Sequence, residues 1–178
     1  FSWYKDITDA ATKQTATREY DAQTSYTNPT SYKVRSDSMP SDDLSFTVTS
    51  ADFITASDGT SKTTTKNVSD AKGVVYQVAV SGADASNYTL SGTALKNGGT
   101  AELYGTGSIT PRTINLAVTS ASVVKTYDGD ADVKVNGNKE FSLSDGYVTY
   151  ADASDTAHQL IASDDNKIVI NGQYQSTN

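Results

Sequence analysis

One short signature occurs twice in this 178-residue chain. Arg18-Glu19-Tyr20-Asp21-Ala22 is answered by Lys125-Thr126-Tyr127-Asp128-Gly129, 107 residues further on. That spacing is about the length of one β-domain, so the chain reads as repeat units and not as a single enzyme fold. Repeated β-modules usually supply reach and attachment.

The segments between the signatures alternate as strands with one wet face do. Leu44–Thr49, Val74–Val80 and Thr113–Thr119 place apolar residues on every second position, the last with Ile114, Leu116 and Val118 inward. Val133–Val135, Tyr147–Tyr150 and Lys167–Asn171 are shorter versions. Period 2 puts these side chains on a shared face that a second layer must cover. Asp58-Gly59, Ser81-Gly82, Asn97-Gly98-Gly99, Asp128-Gly129, Asn136-Gly137, Asp145-Gly146 and Asn171-Gly172 are reversal signals, because Gly, Asn and Asp tolerate the positive φ of tight hairpins. The expected fold class is all-β, in the form of tandem Ig-like antiparallel β-sandwiches. Residues 5–18 are the one plausible helical stretch, weakened by Thr8, Thr12, Thr15 and Thr17. A short helical turn is also expected near Asp84–Asn87.

Ser and Thr supply 47 of the 178 residues and the hydrophobic content is 36%, so hydroxyls dress the wet faces. The net charge of −7 repels phosphate backbones and anionic lipid, which disfavours nucleic acid and membrane surfaces as partners. Cysteine is absent, which excludes disulfides, thiol catalysis and Cys-ligated zinc. No apolar run approaches the ~20 residues of a helical membrane span. The chain opens with neither Met nor a signal peptide, so it is expected to be part of a longer polypeptide.

Pro111 cannot donate to a ladder and drives Thr110 extended. With a strand resuming at once, it sets the expected boundary: a first repeat over 1–111 and a second over 112–178. Ser41-Asp42-Asp43-Leu44 finds an echo in Ser163-Asp164-Asp165-Asn166, after which the second unit looks incomplete. Two explanations stay open. The sequence stops mid-repeat, leaving edges for a neighbour to cover, or the second unit borrows or donates strands in an assembly.

Three motifs carry a family resemblance. Gly82-Ala83-Asp84-Ala85-Ser86-Asn87-Tyr88-Thr89-Leu90 is followed by Gly107-Ser108-Ile109-Thr110-Pro111-Arg112 and then by Lys125-Thr126-Tyr127-Asp128-Gly129. In content and order they resemble the bacterial YDG and MBG repeats of hemagglutinin-like, filamentous surface adhesins. The resemblance covers about 20–178 in phase. It implies an extracellular β-sandwich repeat without catalytic residues, in which Tyr20, Asp21, Asn87, Tyr88, Pro111, Tyr127, Asp128 and Gly129 are structural motif positions. The eukaryotic methyl-DNA reader that shares the letters is a different domain. Ala22 departs from the family's Gly, and Ala at positive φ is costly.

For the Tyr-Asp-Gly corner the expected role is structural: Asp bonds nearby amides, Gly makes the turn, and Tyr packs across the module boundary. Asp128, Asp130 and Asp132 form an every-other-residue acidic set and hence a calcium candidate. Val133 and Lys139 stand where an EF-hand needs Gly and Glu, so that motif is excluded. Asp42-Asp43 and Asp164-Asp165 are weaker candidates of the same kind. Trp3 and Tyr4 could stack on a sugar ring, against the alternative of packing under their own domain. His158, the one histidine, has no constellation that would make it catalytic. Asn67 and Asn87 sit in glycosylation-type triplets. No spacing identifies a Lys–Asn isopeptide pair. No cofactor is expected beyond that calcium candidate.

The expected function is that of a non-enzymatic stalk or spacer module of a bacterial cell-surface adhesin, whose partners are neighbouring repeats of the same polypeptide and a host glycan or protein. The alternatives are a carbohydrate- or host-ligand-binding module and a subunit of a surface fibre or layer.

Overall fold

The computed structural model describes residues 16–27, 33–34, 42–90, 92–167 and 169–174. Strands dominate, joined by short 3-10 turns. The chain divides into two compact units, Phe1–Pro111 and Arg112–Asn178.

The first unit holds β1 (Ala16–Glu19), β2 (Lys33–Val34), β3 (Ser45–Ile54), β4 (Gly73–Ser81), β5 (Thr89–Leu90), β6 (Thr93–Ala94) and β7 (Thr100–Thr110). Five of them form one sheet in the order β1-β7-β4-β3-β2, while β5 and β6 make a separate hairpin. The sheet is mixed, which corrects the antiparallel expectation. β1 runs parallel to β7, with Ala16 opposite Gly107 and Glu19 opposite Thr110. Hairpin signals report only on strands adjacent in sequence. A pairing between the first and last strands of a unit leaves no local trace.

β4 is the central strand. Its Val74, Tyr76, Val78 and Val80 join Phe46 and Ala51 of β3 and Ala101 and Leu103 of β7 in one buried cluster. Ala16 of β1, with Ala85, Leu90 and Leu95 from the β4–β7 connection, completes it. Each buried Val, Leu or Phe among them contributes roughly 1.5–3 kcal/mol of burial. A second cluster gathers Phe53, Ala71 and Ile109, with Tyr20 and Tyr26 against it.

The longest strand, β7 (Thr100–Thr110), is among those that patterning does not reveal. Gly105 and Gly107 interrupt its alternation, and Gly inside a strand reads as a weakness. The structure gives the reason for one of them. A Cβ on Gly107 would lie 2.7 Å from the Gly73 carbonyl oxygen and 3.2 Å from the Phe53 ring. The helical reading of residues 5–18 is also corrected where the structure describes it, since residues 16–18 belong to β1.

In the second unit β8 (Leu116–Val118) pairs with β10 (Val148–Tyr150), and β9 (Glu140–Phe141) with β11 (Ile170–Asn171), both antiparallel. Val118, expected inward, is 83% exposed, because β8 is three residues long and has one neighbour among the described strands. Lys167, expected in a strand, ends a 3-10 turn over Ala162–Lys167. Asn136-Gly137 makes the expected tight reversal. Val135 and Asn138 exchange backbone hydrogen bonds of 2.8 and 2.9 Å, and both central residues have positive φ. Of the buried apolar residues described, only Val135 and Phe141 belong to this unit.

Candidate functional site: a Tyr-Asp corner built twice

β1 runs directly into Tyr20-Asp21-Ala22. The Arg18 guanidinium lies over the Phe53 ring, 5.0 Å from its centroid, and pairs with Asp21 at 2.9 Å. It also donates to the carbonyls of Gln23 (2.6 Å) and Ser25. A planar fork with five donors suits a site that needs a stack and several bonds together. Asp21 Oδ1 accepts from the Gln23 amide at 2.9 Å, the short-range bond expected of Asp in a turn. Ala22 has φ +65°, so it takes the left-handed conformation in spite of its methyl group. The chain then crosses β3: Tyr26 N–H donates to Ala51 O and Phe53 N–H to Thr24 O, each at 2.8 Å, around the bridge Ser25–Asp52. Tyr20 is half-buried, and its amide donates to Thr110 O of β7 at 2.9 Å.

The same construction recurs 107 residues later. Lys125 stands for Arg18, with its ammonium 5.7 Å from the Tyr174 ring centroid and 2.7 Å from Asp128. Asp128 Oδ1 accepts from the Asp130 amide at 3.3 Å, and Gly129 has φ +88°. Val133 N–H donates to Gly172 O (2.8 Å) and Tyr174 N–H to Ala131 O (2.7 Å), around the bridge Asp132–Gln173. Each of these residues has its first-unit counterpart. The register of β2 on β3 (Lys33–Thr47, Val34–Phe46) is likewise repeated by β9 on β11 (Glu140–Asn171, Phe141–Ile170). Three residues, Val48–Ser50, have no counterpart, and there β3's register slips.

The cation-over-ring pairing was not recognised from the sequence. Its signal was present, since a basic residue stands two before Tyr in both copies, but the rings it meets lie 35 and 49 residues downstream, at Phe53 and Tyr174.

The two corners differ in cover. Tyr127, expected to pack across the module boundary, is 74% exposed. Tyr20 is half-buried, packed against the cluster of Phe53, Ala71 and Ile109.

Asp128, Asp130 and Asp132, the calcium candidates, are brought together, but with lysines among them. Lys125 and Lys134 each bond both Asp128 and Asp130, and Lys139 pairs with Asp132. The two lysines hold Asp128 well below the usual carboxylate range and bring Asp130 down to about 2. Among the described residues no group of three acidic or histidine side chains is placed to hold a metal ion.

The Gly82–Tyr88 motif clasps a different acidic pair. Gly82 has φ +120° and ψ 147°, a conformation open essentially to glycine alone. The 3-10 turn Ala83–Asn87 follows, where a short helical turn was expected. Asp43 N–H donates to Asp84 (2.8 Å), Ala83 N–H to the Asp43 carboxylate (2.9 Å) and Asp84 N–H to Asp43 O (3.0 Å). Tyr88 O–H donates to Asp42. Asp42 and Asp43 thus fasten the start of β3 to the end of β4. Asn87 lies within the 3-10 turn, and Pro111 follows the last residue of β7.

A further cluster escaped the sequence reading. Glu102 receives Lys62 (2.7 Å), Gln77 (3.1 Å) and the Tyr104 hydroxyl, and these donors, Lys62 first, bring it down to about 2. His158 Nδ1 pairs with Asp155 at 2.7 Å, and Asn67 donates to Asp70 at 2.9 Å. Asp164 lies in the Ala162–Lys167 turn with Asp165. Trp3 and Tyr4 lie outside the described residues.

The arrangement is chemically one of fixed charge pairs. The shifted carboxylates move down and the shifted lysines up, away from neutrality. Such groups hold their charges and do not exchange protons near pH 7. No family model matches the chain, and no curated protein or solved structure matches it.

Proposed function

We propose that the chain is a non-enzymatic stalk module of a bacterial cell-surface adhesin, extracellular, built of tandem sandwich-like repeats whose immediate partners are neighbouring repeats of the same polypeptide. One observation carries this reading: the parallel pairing of β1 with β7. Among the described strands of this sheet, β1 comes first in the chain and β7 last. Tension along the polypeptide draws them in opposite directions along their own axes. The ladder is then loaded in shear, with its bonds resisting together and not parting one at a time as in a peeled hairpin. Load-bearing is what a spacer between a cell and a distal binding region requires.

The recurrence of the corner supports the tandem reading, and the paired charges support a role without proton transfer. Single-molecule pulling on the chain tests the proposal. The first unit is expected to give a discrete, high-force unfolding event, lowered sharply by Arg18→Pro, which removes a backbone N–H and the cation from β1. Unfolding at forces typical of peeled strands would refute it. A glycan array probed with the same chain is expected to stay silent.

A further inference from the structure

We propose that Val123–Tyr127 is an acceptor edge, onto which an extended segment with the chemistry of β7 docks in parallel to complete the second unit. The inference rests on reading the two corners as copies of one design.

The first unit supplies the template. There the segment leading into the corner is a strand, β1, and β7 pairs with it. The matching positions, Val123–Thr126, pair with no strand among the described residues. Everything else the corner needs is assembled on the inner side: Lys125 over its ring, its bridge to Asp128, and the crossing bonds at Ala131 and Val133. Tyr174 O–H donates to Val123 O at 2.9 Å and so holds the main chain of the edge in place.

Beside the exposed Thr126, this segment turns two large apolar side chains to solvent. Val124 is 87% exposed and Tyr127 74%. Their counterparts lie beside β7, Thr17 still exposed and Tyr20 half-buried. Thr17, matching Val124, meets Ser108 of β7 across the ladder at 3.2 Å. Tyr20, matching Tyr127, gives its amide to Thr110 O and lies in the cluster with Ile109. The occupant is thereby specified. It is extended, has a free backbone on its paired side, carries glycine where it passes the ring, as Gly107 passes Phe53, and an aliphatic residue two positions later, as Ile109 does.

The test uses the whole 178-residue chain and a synthetic peptide of the sequence of residues 100–111. Saturable binding is expected, with amide exchange slowed roughly tenfold or more at Tyr127 and unchanged in β3 and β4. A peptide with aspartate in place of Ile109 is expected not to bind, and Val124→Asp in the chain, at a position exposed enough to leave the fold intact, is expected to weaken binding. No saturable binding would overturn the proposal. So would protection of Tyr127 in the chain alone that grows with its concentration, because the occupant would then be a second copy. Failure here leaves the load-bearing reading standing, since that depends on β1 and β7 of the first unit. A mechanically weak first unit would equally leave the peptide result untouched.

Discussion

Replacing Gly82 by alanine should cost the first unit about 4–6 kcal/mol. Two independent effects add. The backbone at φ +120° and ψ 147° is a region essentially closed to residues with a Cβ, and such strain costs roughly 1–3 kcal/mol. The added methyl would also lie 2.0 Å from the Asp43 carbonyl oxygen, which is backbone and cannot rotate aside. Relieving that clash separates the start of β3 from the 83–87 turn and breaks three hydrogen bonds between Asp43 and Ala83-Asp84. Each contributes on the order of 1 kcal/mol. Gly98→Ala is the control. Its φ is +75°, but nothing lies within 4 Å of the added carbon, so it should pay strain alone, about 1 kcal/mol. Urea unfolding of the two variants, with amide exchange at Asp43 and Asp84 as a local readout, separates the contributions. If Gly82→Ala fell within about 1 kcal/mol of Gly98→Ala, the argument that the clasp is sterically locked would be wrong.

At the two corners the same position carries Ala22 and Gly129, so reciprocal swaps should have opposite signs. Gly129→Ala, with open space around it, is expected to lower stability by about 1 kcal/mol, and Ala22→Gly to be neutral or stabilising by up to about 0.5 kcal/mol, both measured by urea midpoints. Lys125 and Lys134 depress Asp128 and Asp130 in the folded state, so their stabilisation is full above the ordinary carboxylate range and is lost as pH falls from about 4 through about 2. Asp130→Asn should flatten the acid limb of the second unit's unfolding midpoint plotted against pH, and an unchanged limb would contradict the pairing. Glu102→Gln should do the same for the first unit over the same window, because Lys62, Tyr104 and Gln77 lower that carboxyl. Phe53→Ala removes a fully buried ring beneath Arg18 and should cost about 3–5 kcal/mol by thermal or urea unfolding.

Much of the local structure is legible in short stretches of sequence. The reversal at Asn136-Gly137, the turn after Gly82 and the alternating strands at Leu44–Thr49 and Val74–Val80 all follow from neighbouring residues. The acidic run at Asp128–Asp132 shows where plain spacing misleads, because Lys134 and Lys139 sit within reach and fill the carboxylates. β7 shows the opposite failure. Its glycines look like breaks until Phe53 and the Gly73 carbonyl are seen pressing against Gly107.

The sequence by itself determined the stereochemistry of the turns, the strand-forming alternation and the twofold occurrence of the Tyr-Asp signature. These depend on residues within a few bonds of one another, where backbone sterics and side-chain period act directly. Only the tertiary structure decided that β1 lies parallel to β7, that Arg18 and Lys125 rest on Phe53 and Tyr174, and that one Tyr of the pair is half-buried while the other faces solvent. Those outcomes join residues 35 to 91 positions apart, and which distant strand fills a given edge is settled by the packing of the whole unit, not by any segment within it.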